Sequence, residues 1–551
     1  MTVVEDQSAI EALLEQPDTW EPLAGPVDRV ERIETHAAVV FLAGDRVLKL
    51  KRAVDYPYMD LADAARRGRA CRAEVALNRR TAPSIYRGIR PVLRDGAGGA
   101  RLGDLIEDPD PDRPPEGPEA DAAVDWVVEM RRFDRDAMLD SLAEAGRLDA
   151  ATVERLAEGV AGFHARAAAR PDFPADAFAR VVEENLEELR ADPELFDPDV
   201  VARLEARSRA ELDLHAPLIA TRTRDGFVRH CHGDLHLRNI VMLDGVPTPF
   251  DAIEFDDALA TVDVLYDLAF LLMDLDHRGL RALGNRVFNR YLEITGDDEG
   301  LALLPLFLSA RASVRAKVAA SAAAAIEDED ACAEQRRAAR DYLSLAAGYM
   351  EPAPARLVAV GGLSGTGKTT AARGLAPDLG RAPGALILRS DVARKRAAGV
   401  LETEALPAGA YSESATAAVY GSLVTRAQRA LAAGHAVIAD AVYAERAERL
   451  AIGEVAGRIG VRFDGIWLEA GRDRLVARVS ARSGDASDAD AAIVDRQLGY
   501  DLGPLDWTRI DASGGLEDTV SAIRGALAGA GRGAAARAPS RPAASPVDAS
   551  Q

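Results

Sequence analysis

Lysine is scarce in this chain: Lys49, Lys51, Lys317, Lys368 and Lys395 are the only five in 551 residues, and the other basic side chains are arginine. Cysteine is scarcer still. Cys71, Cys231 and Cys332 are too few and too scattered for a disulfide framework, which agrees with a reducing compartment. No apolar run reaches the roughly 18 to 20 residues that a membrane helix needs. The opening MTVVEDQSAIEALLEQ lacks the basic and apolar regions of a signal peptide, so a cytoplasmic location is expected. Positive charge is also lacking. A net charge of -22 and a pI near 4.9 argue against holding nucleic acid or an anionic membrane through the overall field, and neither partner is expected.

What is present is a soluble globular composition, 48% hydrophobic and 28% charged, over a length that calls for at least two domains. Residues 36–51 read as two strands joined at Ala43-Gly44-Asp45. Residues 61–80 have helical spacing, and Asp108 to Pro118 is a proline- and acid-rich loop. A strand-like WVVEMRRF (126–133) precedes amphipathic helices from about 150 to 215. Asp244-Gly245 marks a hairpin, and helical patterns occupy 258–349. Beyond the linker EPAPAR, the strands RLVAVGG, ALILRSD, HAVIADA, FDGIWLEA and WTRIDAS alternate with helices. That order predicts an α/β domain with a parallel sheet over 355–528. Residues 529–551 are low in complexity and are expected to be disordered.

GLSGTGKT, Gly362 to Thr369, satisfies G-x-x-x-x-G-K-[ST] between an apolar strand and a helix. Such a loop closes its backbone N–H groups around a nucleotide phosphate. Lys368 neutralises charge toward the terminal phosphate and Thr369 ligates Mg²⁺. Ser364, Gly365, Thr366, Gly367 and Thr370 complete the expected ATP contacts. Asp391 ends the second strand, either as a helix N-cap or facing an acceptor. Asp440 ends the third, supporting Mg²⁺ or acting as a base. Arg478 and Arg482 lie one helical turn apart before a GDASD loop, as a phosphate-closing pair or an ordinary solvated face.

HCHGDLHLRNI, His230 to Ile240, holds three of the eight histidines. A zinc site would need a second ligand cluster, and the sequence offers none. The alternative is H-G-D-x-x-x-x-N. Phosphoryl transfer to an alcohol needs a carboxylate for the hydroxyl and a nearby oxygen ligand for Mg²⁺, and Asp234 with Asn239 supplies both. If Asp244-Gly245 is a two-residue turn, Asn239 faces Phe250, which brings Asp251 and Glu254 within reach of the same metal. Pro247 and Pro249 threaten that register, because neither can donate to a ladder.

HGDLHLRN, FDAIEF and VDVLYDLAFLL together resemble the aminoglycoside phosphotransferase and choline kinase superfamily, whose fold is protein-kinase-like. The resemblance covers about 25–345. It implies an α+β bilobal domain over 1–350, with Asp234 as catalytic base and Asn239 as metal ligand. Glu254, in IEF, stands where that family has the aspartate of I-D-[FW], and Asp251 shares or takes that role. The resemblance also implies a phosphate-binding lysine, Lys49 in preference to Lys51, an ion-pair partner in Glu74, and an adenine-binding hinge at Val128 to Met130. The second half, through its P-loop, Ser390-Asp391, Asp440 and the arginine helix, is similar to small P-loop kinases of the gluconate kinase, adenylylsulfate kinase and zeta-toxin type. The domain order resembles bifunctional aminoglycoside phosphotransferase/ATP-binding proteins. It implies ATP- and Mg²⁺-dependent phosphorylation of a small-molecule hydroxyl, on a sugar, amino-sugar or aminoglycoside-like compound. The alternative is that one half is the active kinase and the other a nucleotide-binding regulatory or silent module.

Overall fold

The computed structural model describes residues 2–3, 5–35, 37–56, 59–94, 99–114, 116–401, 404–481 and 487–534. The chain divides into two compact units, Met1–Glu351 and Pro352–Gln551. No helix among the described residues is long and apolar enough to cross a membrane.

The first unit begins with an antiparallel six-stranded sheet. Its spatial order is Glu31–Glu34, Ala38–Ala43, Arg46–Lys51, Ala123–Arg131, Tyr86–Arg94, Ala100–Leu102. Alternation of side chains lets it bury both faces. Phe41, Leu48 and Leu50 pack under the N-terminal helix Ser8–Leu14 and Trp20, while Val47, Val128 and Met130 pack under Cys71 and Val75 of the helix Ala64–Asn78. That helix lies close on the sheet because of Gly68, where a Cβ would meet Trp126 at 2.7 Å. Asp63 caps it, accepting from the Arg66 N–H at 2.8 Å.

The rest of the unit is helical and is centred on Val264–His277, whose residues from Val264 to Leu275 are all buried. A helix buried on every side belongs at the middle of its bundle, and polar residues inside it need partners. The hairpin Ile240–Leu243 and Val246–Pro249 pairs Ile240 with Pro249 and Leu243 with Val246. The Phe250 N–H donates to the Asn239 carbonyl at 2.8 Å, so the prolines leave the expected register intact. Asp244 and Gly245 take the positive φ values, 50° and 80°, that a two-residue turn demands. Thr261–Asp263, within the stretch expected to be helical, is instead a short strand against Val228–His230.

The second unit is a five-stranded parallel sheet in the order Leu386–Arg389, Val437–Asp440, Arg356–Gly362, Arg462–Glu469, Thr508–Asp511. All five strands expected from the sequence are present. The register Arg389–Asp440–Val360 gathers the carboxyl ends beside the P-loop, where ligand crevices form in open parallel sheets. The last helix, Leu516–Ala534, runs past the point where the tail was expected to lose structure. The remainder of that tail lies outside the described residues.

Candidate active sites

In the first unit the central helix positions the HGD loop. Asp267 and Asp274 lie about two turns apart on that helix, so they share a face. Asp267 accepts the N–H groups of His232 at 3.2 Å and Gly233 at 2.8 Å, and Asp274 accepts that of Leu237 at 3.0 Å. Burial works against the Asp267 charge, but His164 at 3.0 Å, His232 and Arg311 bring its carboxyl down to about 2. A carboxylate within an apolar run is the signal that marks this role, and the sequence reading gave Asp267 none.

Asp234 and Asn239 come together as expected. The Asn239 Nδ2 donates to Asp234 Oδ2 at 2.8 Å and to the Asp234 carbonyl at 3.0 Å, which leaves the amide oxygen for a cation. Asp234 is half-buried. Burial raises its carboxyl, but His236 at 3.3 Å, His232 and Arg315 outweigh that and hold it below the usual carboxylate range. His232 is buried and kept neutral, so Nδ1 accepts the Asp234 N–H while Nε2 donates to the Phe250 carbonyl at 3.0 Å. It therefore ties loop to hairpin.

The other histidines point elsewhere, His230 to Asp257 and His236 to Asp234, so the three do not converge on a metal. Among the described residues the converging group is His164, Cys231 and Asp267. Its members are already engaged: His164 Nδ1 meets the Tyr291 hydroxyl at 2.9 Å, Asp267 holds the loop, and burial keeps the Cys231 thiol protonated. His36 lies outside the described residues.

Across this loop, Lys49 Nζ lies 2.8 Å from Glu74 and 2.7 Å from Asp251. Glu74 is fully buried and not solvated. Burial opposes its ionisation, and Lys49 and Lys51 restore it. Asp251 sits at φ 60°, unusual for a residue with a side chain, with its N–H donated to the Tyr86 hydroxyl at 3.2 Å. Its side chain is 42% exposed, whereas Glu254 is 10% exposed and paired with Lys51. Burial raises the Glu254 carboxyl, and Lys51 opposes that.

The expected hinge needs correction. Val128 lies between Lys49 and Ile89, and Met130 between Val47 and Tyr86, so their main-chain groups serve the ladders on both sides. A strand paired on both edges has no main-chain groups left for adenine. The chain leaves the sheet only after Arg131, and Phe133 then packs on Phe250 with centroids 5.0 Å apart.

In the second unit, Gly365 and Gly367 hold φ values of 85° and 89°. A Cβ at Gly365 would strike the Leu475 carbonyl at 2.6 Å, and one at Gly362 the Leu468 carbonyl at 2.6 Å. One at Gly367 would enter open space. Thr366 Oγ1 donates to Leu363 at 2.8 Å, and the Ser364 N–H is taken by Gln497 at 2.7 Å. Lys368 folds back to the Leu363 carbonyl at 3.1 Å, and Thr370 is exposed on the helix that follows.

Thr369 Oγ1 donates to Asp440 Oδ2 at 2.5 Å, two hard oxygen donors of the kind Mg²⁺ takes. Burial raises the Asp440 carboxyl, with Lys368, Arg389 and the Thr369 hydroxyl opposing. Asp391 is half-buried in the first turn of Ser390–Ala398. The N-cap of that helix is Arg389, so Asp391 is not its cap, and its charge is felt by both Asp440 and Tyr411. Arg478 donates to Gly365 and Thr366 at 3.4 Å and to Gly514 at 3.0 Å, which seats it on the P-loop. A shallow cavity of about 480 Å³, lined by Gly471, Arg472, Asp473, Arg474 and Ser513, opens in the same unit. Arg482 lies outside the described residues.

Comparison with known proteins accounts for both halves. The Phosphotransferase enzyme family (APH) model matches residues 109–304, and the AAA domain model matches residues 357–500. Rv2004c, a protein of Mycobacterium tuberculosis (strain ATCC 25618 / H37Rv), is 33% identical over 501 residues, covering 88% of this chain and 93% of that relative. Mb2027c of Mycobacterium bovis is similar to the same extent, at 33% over 501 residues. A choline/ethanolamine kinase family protein from Mesorhizobium loti is 16% identical and matches 61% of this chain and 99% of that one, with a TM-score of 0.34. A gluconokinase from Sinorhizobium meliloti 1021 is 22% identical and matches 33% of this chain and 95% of that one, with a TM-score of 0.24.

Proposed function

The chain belongs to the family that joins an aminoglycoside-phosphotransferase-type domain to a C-terminal P-loop kinase domain, and from that premise we propose an ATP- and Mg²⁺-dependent phosphotransferase acting on a small-molecule hydroxyl. The observation that carries this reading is the Asp234 carboxylate, ionised and fixed by Asn239 at 2.8 Å beside the Lys49–Asp251 pair.

Asp234 orients the acceptor hydroxyl and takes its proton as the oxygen attacks the terminal phosphorus. Lys49 holds donor phosphates. Asn239 Oδ1 and the exposed Asp251 carboxylate are the oxygen donors suited to Mg²⁺, which when bound neutralises the phosphate charge. Glu254, buried against Lys51, does not share that task. Adenine is received where the chain leaves the sheet, beyond Arg132, whose N–H is still held by the Asp45 carbonyl at 2.9 Å, and not along Val128 to Met130.

In the second unit Lys368 and the positive-φ glycines hold phosphates, and Thr369 with Asp440 holds Mg²⁺. Asp391 faces an acceptor, and Arg478 fixes the loop from behind. The acceptor class proposed for the first unit is a sugar, amino-sugar or aminoglycoside-like alcohol. The test is to offer such alcohols with terminally labelled ATP to the full chain carrying Lys368→Ala. A labelled phosphate monoester formed in step with ADP supports the reading. ATP turned over to inorganic phosphate alone, with every acceptor tried, contradicts it.

A further inference from the structure

Two lysines meet one glutamate in the first unit, and only Lys49 is partly exposed. Lys49 donates to Glu74 Oε1 at 2.8 Å, while Lys51 Nζ lies 2.5 Å from Oε2 as an ion pair without hydrogen-bond alignment. The outer lysine goes on to Asp251 and the inner one to Glu254, giving a row Asp251–Lys49–Glu74–Lys51–Glu254 of alternating sign. Side-chain exposure is 42% at Asp251, 14% at Lys49, 0% at Glu74, 2% at Lys51 and 10% at Glu254. Burial closes Glu74 and Lys51 to a phosphate or a metal, and Glu254 is taken up by Lys51, whereas Asp251 and Lys49 stay open.

We propose that Lys51 and Glu254 are positioning residues, a buried counter-charge pair that holds Glu74 toward Lys49 and binds neither phosphate nor metal. The inference rests on the reading that Lys49 and Asp251 face the nucleotide. With Lys51 on one carboxylate oxygen, Glu74 has one oxygen for Lys49, which remains able to exchange Asp251 for phosphate. Without Lys51, both oxygens turn to Lys49 and clamp it, and Glu254 is left as an uncompensated buried charge.

The main chain around the pair is fixed as well. Gln7 donates to the Lys51 carbonyl at 2.9 Å and accepts the Ala53 N–H at 2.8 Å, so the strand end does not drift. Asn78, one turn beyond Glu74, donates to the Glu74 carbonyl at 2.9 Å and accepts the Ala252 N–H at 2.8 Å. The helix Ala64–Asn78 and the segment 251–254 are therefore joined three times, through Asn78, through Glu74–Lys49–Asp251 and through Glu74–Lys51–Glu254. The joined segment also carries Asp251, so the pair keeps the phosphate lysine and the metal carboxylate in one frame.

The experiment is calorimetric titration of the full chain carrying Lys368→Ala with AMP-PNP, with and without Mg²⁺. Lys51→Met should weaken binding by about tenfold or more, because it leaves a lone buried carboxylate. Adding Glu254→Gln to it should recover most of that loss. Glu254→Gln alone should keep the Mg²⁺ enhancement, which Asp251→Asn should lose. Loss of the enhancement in Glu254→Gln, or simple additivity in the double variant, overturns the proposal. If Lys51→Met does not fold, the Glu254→Gln and double variants still decide it. Absence of any AMP-PNP binding in the Lys368→Ala parent instead contradicts the reading on which the proposal rests.

Discussion

Replacing Asp267 with asparagine keeps the shape of the side chain and removes its charge, and should loosen the catalytic loop without touching Asp234. The carboxyl is moved from 3.8 to about 2, a preference for the ionised form of about 2 kcal/mol. Asparagine also has one acceptor oxygen for the two N–H groups of His232 and Gly233, and a buried donor left unmet costs about 1–3 kcal/mol. The sum, about 3–5 kcal/mol, matches the cost of breaking a buried pair. At about 2.1 cal/mol/K per residue over Met1–Glu351, it lowers the melting temperature of the first unit by about 4–7 °C.

Calorimetry of the full chain reads the shift, and hydrogen exchange of peptides covering 228–243 reads the loop. The pH dependence follows from the sign. The folded-state value lies below the ordinary one, so the stabilisation is complete above 3.8 and is lost as pH falls through about 2. The gap between parent and variant should narrow over that window. Unchanged melting together with unchanged exchange would refute the claim that this carboxylate holds the loop.

Three further outcomes are expected. Lys368→Ala should abolish nucleotide-dependent stabilisation of the second unit, measured by titration calorimetry, while labelled transfer by the first unit persists. Thr369→Val should reduce the Mg²⁺ enhancement of nucleotide binding there and leave metal-free binding unchanged. Because burial raises the Asp440 carboxyl, Mg²⁺ affinity of the second unit should fall on acidification at a higher pH than an ordinary aspartate would give, and titrations across pH read this directly.

Local patterns carried much of this architecture. Three strands of the second unit, Arg356–Gly362, Leu386–Arg389 and Val437–Asp440, were visible because parallel, two-sided burial makes them near-continuous apolar runs. The hairpin register was readable because Asp244-Gly245 fixes it, and the prolines sit on a two-stranded ribbon where an absent donor costs little. Asp234, Asn239, Lys49 and Glu74 announced themselves through spacing and family resemblance together.

What stayed hidden depends on tertiary pairing. Nothing in WVVEMRRF says that its strand is flanked on both edges, and so the main-chain groups of Val128 and Met130 were assigned to a ligand instead of a sheet. The choice between Asp251 and Glu254 turns on which carboxylate is buried beside Lys51, a contact spanning about two hundred residues of sequence. Asp267 was hidden in the same way, by contacts 34 and 35 residues back along the chain. The final helix ran on because alanine- and glycine-rich sequence can continue a helix once Val520, Ile523 and Leu527 are anchored in the core.

The most direct measurement compares labelled phosphoryl transfer by Asp234→Asn with transfer by the parent, both carrying Lys368→Ala and given the same alcohol acceptors. Removing the general base is predicted to slow transfer by about 10²–10⁴-fold with AMP-PNP affinity preserved. Transfer at the parent rate in Asp234→Asn would contradict the assignment of the first unit as an Asp234-dependent phosphotransferase.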